Sequence, residues 1–371
     1  MDDISKRAWL RLANTPKVKL RDKRTLIEHY GSAASLYETP YAQVQKQLNA
    51  DSAFVKHLGF EIADEVLDKQ LELLKQYHIQ IIPWRDPGYP SLLTQLNDAP
   101  AMLFVQGDAN LLSGPQIAMV GARSASPAGL KTATQFSKQL AQAGLSITSG
   151  LAQGIDGAAH QGALNEIGKT IAVVATGLDQ VYPRNHVNLA QEIAHHGAIV
   201  SEFVPGTPPK REHFPKRNRI ISGLSLGVLV VEAGVRSGSL ITARLAGEQG
   251  REVYAIPGSI HSPTSRGCHQ LIRQGAKLVE TTKDILEELK SSTDLFSMMP
   301  TKHELKPTNN PINLNWDSQA VLNLLDFEPI GLDELCRRCE LRIDSLSAIL
   351  LELELMGLVA AVAGGQYQRL P

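Results

Sequence analysis

Val120-Gly-Ala-Arg-Ser-Ala-Ser-Pro-Ala-Gly129 is the stretch on which the fold turns. It follows an apolar run, Ile117 to Val120, that reads as a buried strand, and it contains Ser126-Pro127, which reads as a helix N-cap followed by proline at the first helical position. A strand that feeds a helix through so tight a turn aims free backbone N–H groups and the positive end of a helix dipole at one point. The expected ligand there is an anion, above all a phosphate.

Outward from this turn, strand and helix patterns alternate. Strand-like runs are Ile117 to Val120, Leu145 to Thr148, Ile171 to Ala175, Ala198 to Ser201, Val228 to Val231, Glu252 to Ile256 and Lys277 to Val279, with helical stretches such as Ala128 to Gln142 and Leu240 to Gln249 between them. Most of the runs are apolar almost throughout, as strands buried on both faces are. The fold class is therefore α/β, an extended Rossmann-like, doubly wound parallel sheet covered by helices, whose ligands gather at the carboxyl ends of the strands. Residues 79–290 are assigned to this core, with Ile79 to Ile82 and Met102 to Val105 as an extra layer. Residues 1–78 read as a helical domain, with Trp9, Leu10, Leu12, Leu26 and Ile27 at helical spacing and Gly31 as a stop. Residues 291–314, polar and proline-rich, read as a linker. Three helical patterns and a hairpin around Gly364-Gly365 make residues 315–371 a winged-helix module.

Composition sets outer bounds. The 371 residues, 43% hydrophobic and 20% charged, are those of a soluble globular chain of two or three domains. No apolar segment is long enough for a membrane span and Met1 to Leu20 is too charged for a signal peptide, so the expected location is cytoplasmic. Three cysteines form no disulfide framework, and Cys336-x-x-Cys339 lacks the second pair of a zinc site. The net charge of -1 hides an asymmetry: residues 115–290 hold 18 Lys and Arg against 13 Asp and Glu, whereas residues 315–371 hold four against nine. A basic core points to a polyanionic partner.

The loops at the strand ends carry the chemistry. The opening turn lacks the Gly-x-Gly-x-x-Gly spacing, and no acid closes the second strand at Thr148-Ser149-Gly150, so a dinucleotide cofactor is not expected. Arg123 stands there instead, able to fork onto a phosphate, with a surface salt bridge as the competing reading. Gly168-Lys169-Thr170 precedes a strand and is no Walker motif. Asp156 and His160, four apart, read as a buried structural pair in preference to a catalytic one. The loop from Thr176-Gly177 to Tyr182-Pro183-Arg184 brings an aromatic and a cation to the same rim. Lys210-Arg211 and Phe214-Pro-Lys-Arg217-Asn218-Arg219 supply the densest basic run, headed by an aromatic face on which an unstacked base can rest. Ser237-Gly238-Ser239 opens another helix and repeats the anion-turn argument.

Taken together, these blocks resemble the DprA (Smf) family of bacterial DNA-processing proteins. The resemblance runs through Ser149-Gly-Leu-Ala-Gln-Gly-Ile-Asp156, Ala175-Thr-Gly-Leu-Asp179, Phe214 to Ile221, Val231-Glu-Ala-Gly with Ser237 to Thr242, Ala255-Ile-Pro-Gly258 and Gly267-Cys-His-Gln-Leu-Ile272. It implies a homodimer that binds single-stranded DNA without catalysis or cofactor, protects incoming DNA during natural transformation and loads the RecA recombinase. It also implies a sterile-alpha-motif-like helical domain before the core and a winged helix after it. The residues expected to face DNA are Gly121, Arg123, Ser126, Gly150, Gly177, Arg184, Lys210, Phe214, Arg217, Asn218, Arg219, Ser237, Gly238 and Ser239. Two departures stand out. Lys17-Val-Lys19 replaces a glycine hairpin near the N-terminus, leaving the basic stretch Pro16 to Arg24 as either a phosphate-facing hairpin or a solvated turn. The third helix of the winged-helix region carries Asp344, Glu352 and Glu354, which favours a protein-binding or regulatory role over DNA contact. The rival function is a nucleotide hydrolase of the phosphoribohydrolase type.

Overall fold

A computed structural model describes residues 1–48, 53–59, 61–292, 314–325, 327–339, 341–362 and 364–370. Six helices come first: α1 (Asp3–Asn14), α2 (Leu20–Tyr30), α3 (Ala33–Glu38), α4 (Tyr41–Gln47), α5 (Ala53–Leu58) and α6 (Asp64–Gln76). The apolar spacing read from the sequence is the packed face, since Trp9, Leu10, Leu12, Leu26 and Ile27 are buried. Gly31 ends α2 at φ 79°, a left-handed turn in which glycine meets no Cβ penalty.

The basic stretch Pro16 to Arg24 divides. Lys17, Lys19 and Arg21 are exposed, whereas the Arg24 guanidinium donates to the carbonyls of Leu96 and Asn97 and lies 4.0 Å from the centre of the Trp84 ring. Lys23 is buried and donates to the Ala13 carbonyl at 2.7 Å. Burial pushes its ammonium down to about 8 from the ordinary 10.5, against the opposing pull of Glu202. Between those two values the unfolded chain binds the extra proton, so stability should rise as pH climbs from about 8 towards 10.5. Urea midpoints across that window should show the rise in the wild type and lack it in Lys23→Met; parallel curves would refute the assignment.

The sheet follows: β1 (Gln80–Pro83), α7 (Ser91–Thr94), β2 (Met102–Gly107), β3 (Gln116–Val120), α8 (Pro127–Gln142), β4 (Ser146–Ser149), α9 (Ile155–Ala163), β5 (Thr170–Val173), α10 (Val187–His196), β6 (Ala198–Ser201), α11 (His213–Leu224), β7 (Gly227–Val230), α12 (Ser239–Glu248), β8 (Glu252–Ala255), α13 (Arg266–Arg273), β9 (Lys277–Leu278) and α14 (Thr282–Ser292). These nine strands make one sheet in the order β1-β2-β6-β5-β4-β3-β7-β8-β9. From β6 to β9 all pairs are parallel, while β1 and β2 run antiparallel at one edge, so the segment expected as an extra layer extends the same sheet through the β2–β6 pairing. Every residue of β3, β4, β5, β6 and β7 is buried, the burial that makes their sequences apolar or small.

The chain leaves β3 for β4, β5 and β6 on one side and then returns to β7 on the other. The sheet's topological switch point is therefore the β3/β7 boundary, where a doubly wound fold has its ligand crevice.

The C-terminal part contains α15 (Trp316–Leu324), β10 (Ile330–Gly331), α16 (Leu332–Cys339), α17 (Ile343–Leu355), β11 (Val359–Val362) and β12 (Gln366–Arg369), the three strands pairing as β10-β12-β11. Helix α17 buries Leu346, Leu350 and Leu353 against α15 and α16. All but the ends of the stretch 291–314, read above as a linker, lie outside the described residues.

Candidate nucleic-acid interface

At the switch point the opening turn is already filled. Ser126 caps α8, its Oγ accepting from the Gly129 N–H at 3.0 Å, and Pro127 occupies the first turn, as the sequence predicts. The anion at this helix start is the protein's own Glu232, just past β7. The Ser126 N–H donates to Glu232 Oε2 at 3.0 Å and the Ser126 hydroxyl to Oε1 at 2.6 Å. A Cβ at Gly129 would sit 2.5 Å from the Glu232 carboxyl carbon, so only glycine admits the carboxylate so close to the helix. On the other side, a Cβ at Gly121 would lie 2.5 Å from Ile155 Cγ1. The crevice that would hold a dinucleotide is closed by a carboxylate and an isoleucine. Ser126 and Gly121, expected to face DNA, are half-buried and hold the turn together.

Arg123 projects from this closed turn. It is exposed, and its guanidinium lies 5.7 Å from the centre of the Phe214 ring. Phe214, half-buried in the first turn of α11, meets the exposed Tyr182 edge-on with ring centres 5.6 Å apart. Three loops, after β3, β5 and β6, thus deliver a cation and two aromatic faces to one patch. Around it Arg184, Lys210, Arg211 and Lys216 are exposed, and Asn218 lies one helical turn beyond Phe214 on the same side of α11. Among the described residues, Arg123, Arg184, Lys210, Arg211 and Lys216 have no acidic partner within ion-pair distance.

Two arginines of the basic run do not join them. Arg217 is 5% exposed and donates to the carbonyls of Gly150 at 2.6 Å and Val173 at 2.5 Å. Arg219 is 6% exposed and forms ion pairs with Glu202 and, at 3.4 Å, with Asp98. Both were expected to face DNA; in the structure both side chains are buried, with Arg217 Nε and Arg219 Nη1 left without a hydrogen-bond partner. Burial pushes the Arg217 group down to about 10, against the opposing pull of Asp156. The Asp156 carboxylate accepts from the N–H groups of Gly150 and Ala152 at 3.1 and 3.4 Å. His160 bonds Thr170 Oγ1 at 2.7 Å and accepts from the Leu151 N–H, and burial drives it down to about 3. A histidine held neutral in this way is no acid or base near neutral pH; Asp156 and His160 brace the strand ends.

Gly150 sits where a Cβ would collide with both Arg217 and Asp156, and a Cβ at Gly177 would lie 2.7 Å from the Val204 carbonyl. These glycines bring loops together and present no surface of their own. The second anion turn is different. Ser237 and Ser239 share a hydroxyl contact of 2.6 Å, the exposed Gly238 has open space around it, and the Ser239 N–H that opens α12 donates to Ser237 Oγ at 3.3 Å. The exposed Arg236 lies beside it in sequence, a cation the motif reading passed over. Among the described residues no group of three or more His, Cys, Asp or Glu side chains could hold a metal ion, and no helix is long and apolar enough to cross a membrane.

Residues 80–290 match the family described as DNA recombination-mediator protein A, a span of more than half the chain. The chain belongs to this DprA family. Residues 306–365 match the DprA winged helix domain. Protein Smf of Escherichia coli (strain K12) is 41% identical over 337 residues, covering 88% of this chain and 89% of the relative. The X-ray structure of DprA from Streptococcus pneumoniae superposes with a TM-score of 0.67 at 38% identity, covering 78% of this chain and 98% of that one. DNA processing protein A from Helicobacter pylori, whose structure concerns its single-stranded DNA binding mode, superposes at 0.53 with 30% identity, covering 58% and 98%. As a DprA-family member the chain is a DNA-processing protein.

Proposed function

We propose that this chain binds single-stranded DNA along the carboxyl rim of its sheet, without catalysing a reaction, and hands it to a RecA-type recombinase. The observation that carries this reading is the Arg123–Phe214–Tyr182 patch: a guanidinium with no acidic partner over one aromatic ring, beside a second exposed ring. Phosphates take the cation and unstacked bases take the rings. The flanking Arg184, Lys210, Arg211 and Lys216 extend the track, and Ser237 to Ser239 offer a further anion turn. The relative from Helicobacter pylori, described by its single-stranded DNA binding, supports the same reading. Protection of incoming DNA during natural transformation is part of the same proposal, and membership of a family described as DNA recombination-mediator protein A is in keeping with it. A homodimer fits the open sheet edge at β9, where Leu278 is 45% exposed. The exposed face of α17 carries Leu351, Leu355, Asp344 and Glu354 and no Lys or Arg, which supports a protein-facing or regulatory winged helix. Glu232 and Ile155 fill the crevice at the β3/β7 boundary, which weighs against a mononucleotide seated there.

The test is a salt titration of oligonucleotide binding by the full chain. If all five exposed cations meet phosphates, affinity for a single strand falls with a log–log slope of about -3 to -4, at roughly 0.7 per phosphate. Duplex of equal length should bind more weakly, because its bases cannot reach the rings. In the same samples, the chain should speed RecA assembly on DNA coated with single-strand-binding protein, and sedimentation should report two copies. A flat salt response would sink the DNA reading; unchanged RecA assembly would sink the mediator reading alone.

A further inference from the structure

The way Glu232 fills the opening turn has a consequence for the residue beside it. Arg123 sits in a loop clamped from two sides. On one, the Ile155 N–H donates to the Ala122 carbonyl at 3.2 Å, and Gly154 packs beneath, at a φ of 79°, where a Cβ would lie 2.2 Å from that same oxygen. On the other, Glu232 receives both the N–H and the hydroxyl of Ser126 across the switch point. Between the clamps the guanidinium has no carboxylate partner, only the face of Phe214, so its direction is set by the loop backbone and by one ring.

Glu232 also decides what the turn attracts. A carboxylate at the start of a 16-residue helix complements the dipole and takes up the N–H of Ser126. A phosphate arriving at this rim finds that position occupied and meets Arg123 instead.

We infer that Glu232 is a positioning residue for DNA binding: by closing the α8 start it holds Arg123 over Phe214 at the rim. This rests on the reading of Arg123 as a DNA contact. Glu232 touches no DNA itself, so its effect must pass through Arg123, and a double-mutant cycle reads that dependence directly.

The experiment measures affinity of the full chain for a labelled thymidine oligonucleotide, by fluorescence anisotropy at fixed salt. The proteins are wild type, Arg123→Ala, Glu232→Ala, Glu232→Gln and the two double variants with Arg123→Ala. Glu232→Ala should weaken binding by about tenfold in the wild type and by less than about twofold once Arg123 is gone, a non-additivity of the size expected for residues acting as one unit. Glu232→Gln retains one acceptor for the Ser126 N–H, so it should weaken binding by roughly threefold, and this loss too should vanish in the Arg123→Ala background. A glutamate important only for general stability would lower affinity equally in both backgrounds. Additive losses, or wild-type affinity in both Glu232 variants, overturn the inference. If Glu232→Ala does not fold, as judged by thermal melting, the glutamine pair decides alone. Wild-type affinity in Arg123→Ala would instead strike at the DNA reading of the patch.

Discussion

Arg217→Ala is expected to destabilise the chain by about 1–3 kcal/mol, the cost of leaving buried carbonyls without their charged donor. The guanidinium holds the Gly150 and Val173 carbonyls together at the ends of β4 and β5, and its charge opposes the desolvation of Asp156. With alanine there, two buried carbonyls lose a donor and Asp156 keeps its carboxylate in a site that burial alone disfavours. These costs overlap, because Asp156 can take up a proton, so they are not summed. Against a total stability of roughly 5–15 kcal/mol for a domain, the loss is a sizeable fraction of the whole. Urea denaturation followed by circular dichroism gives the number, and a change below about 0.5 kcal/mol would exclude the Arg217 bonds to the two carbonyls as a structural element. Arg217→Lys keeps a charged donor but on a shorter, differently shaped side chain than the one whose Nη1 serves both carbonyls, so it should recover only part of the loss. A DNA-binding defect of Arg217→Ala is therefore to be read beside its stability, since the same side chain ties two strand ends together.

Arg217 also shows where the sequence was legible. Its neighbours set a helical stripe: His213, Arg217, Ile220, Ile221 and Leu224 recur at helical spacing and all are buried in α11. Read for period, the helix places Arg217 inside, where the structure has it; read for density of charge, it places Arg217 outside. Arg219 carries no such local signal. Its burial depends on Glu202 beyond β6 and Asp98 before β2, which only the folded sheet brings together.

The sheet itself was easy to see, since β3, β4, β5, β6 and β7 are buried along their whole length and their sequences are accordingly apolar or small. The helix start after Val120 was equally plain, because Ser126-Pro127 is a local signal. What fills that start was not plain. Glu232 lies 106 residues away, and nothing near Ser126 foretells an internal anion. Sequence patterns within one turn of the chain give elements and caps; a ligand supplied by the protein's own far strand is a fact of topology, created at the point where β7 returns beside β3.

Arg123→Ala should separate binding from folding, in contrast to Arg217→Ala. The side chain is exposed and without an acidic partner, so the substitution should change stability by no more than about 0.5 kcal/mol. Affinity for single-stranded DNA should nevertheless drop by at least about tenfold, near 1.4 kcal/mol, with the salt slope reduced by roughly 0.7, the share of a single phosphate. Arg123→Lys discriminates between the two things the guanidinium does. A lysine keeps the point charge, and with it the salt slope, but loses the planar group that can lie on the Phe214 ring while forking onto a phosphate. The lysine variant should therefore bind with intermediate affinity at an unchanged slope. Phe214→Leu should do the reverse of a charge deletion, weakening binding at every salt concentration without altering the slope, because the loss is base stacking. If Arg123→Ala left the slope untouched while affinity fell, the arginine would be acting through the aromatic face alone, and the phosphate track would have to run through Arg184 and Lys216 instead.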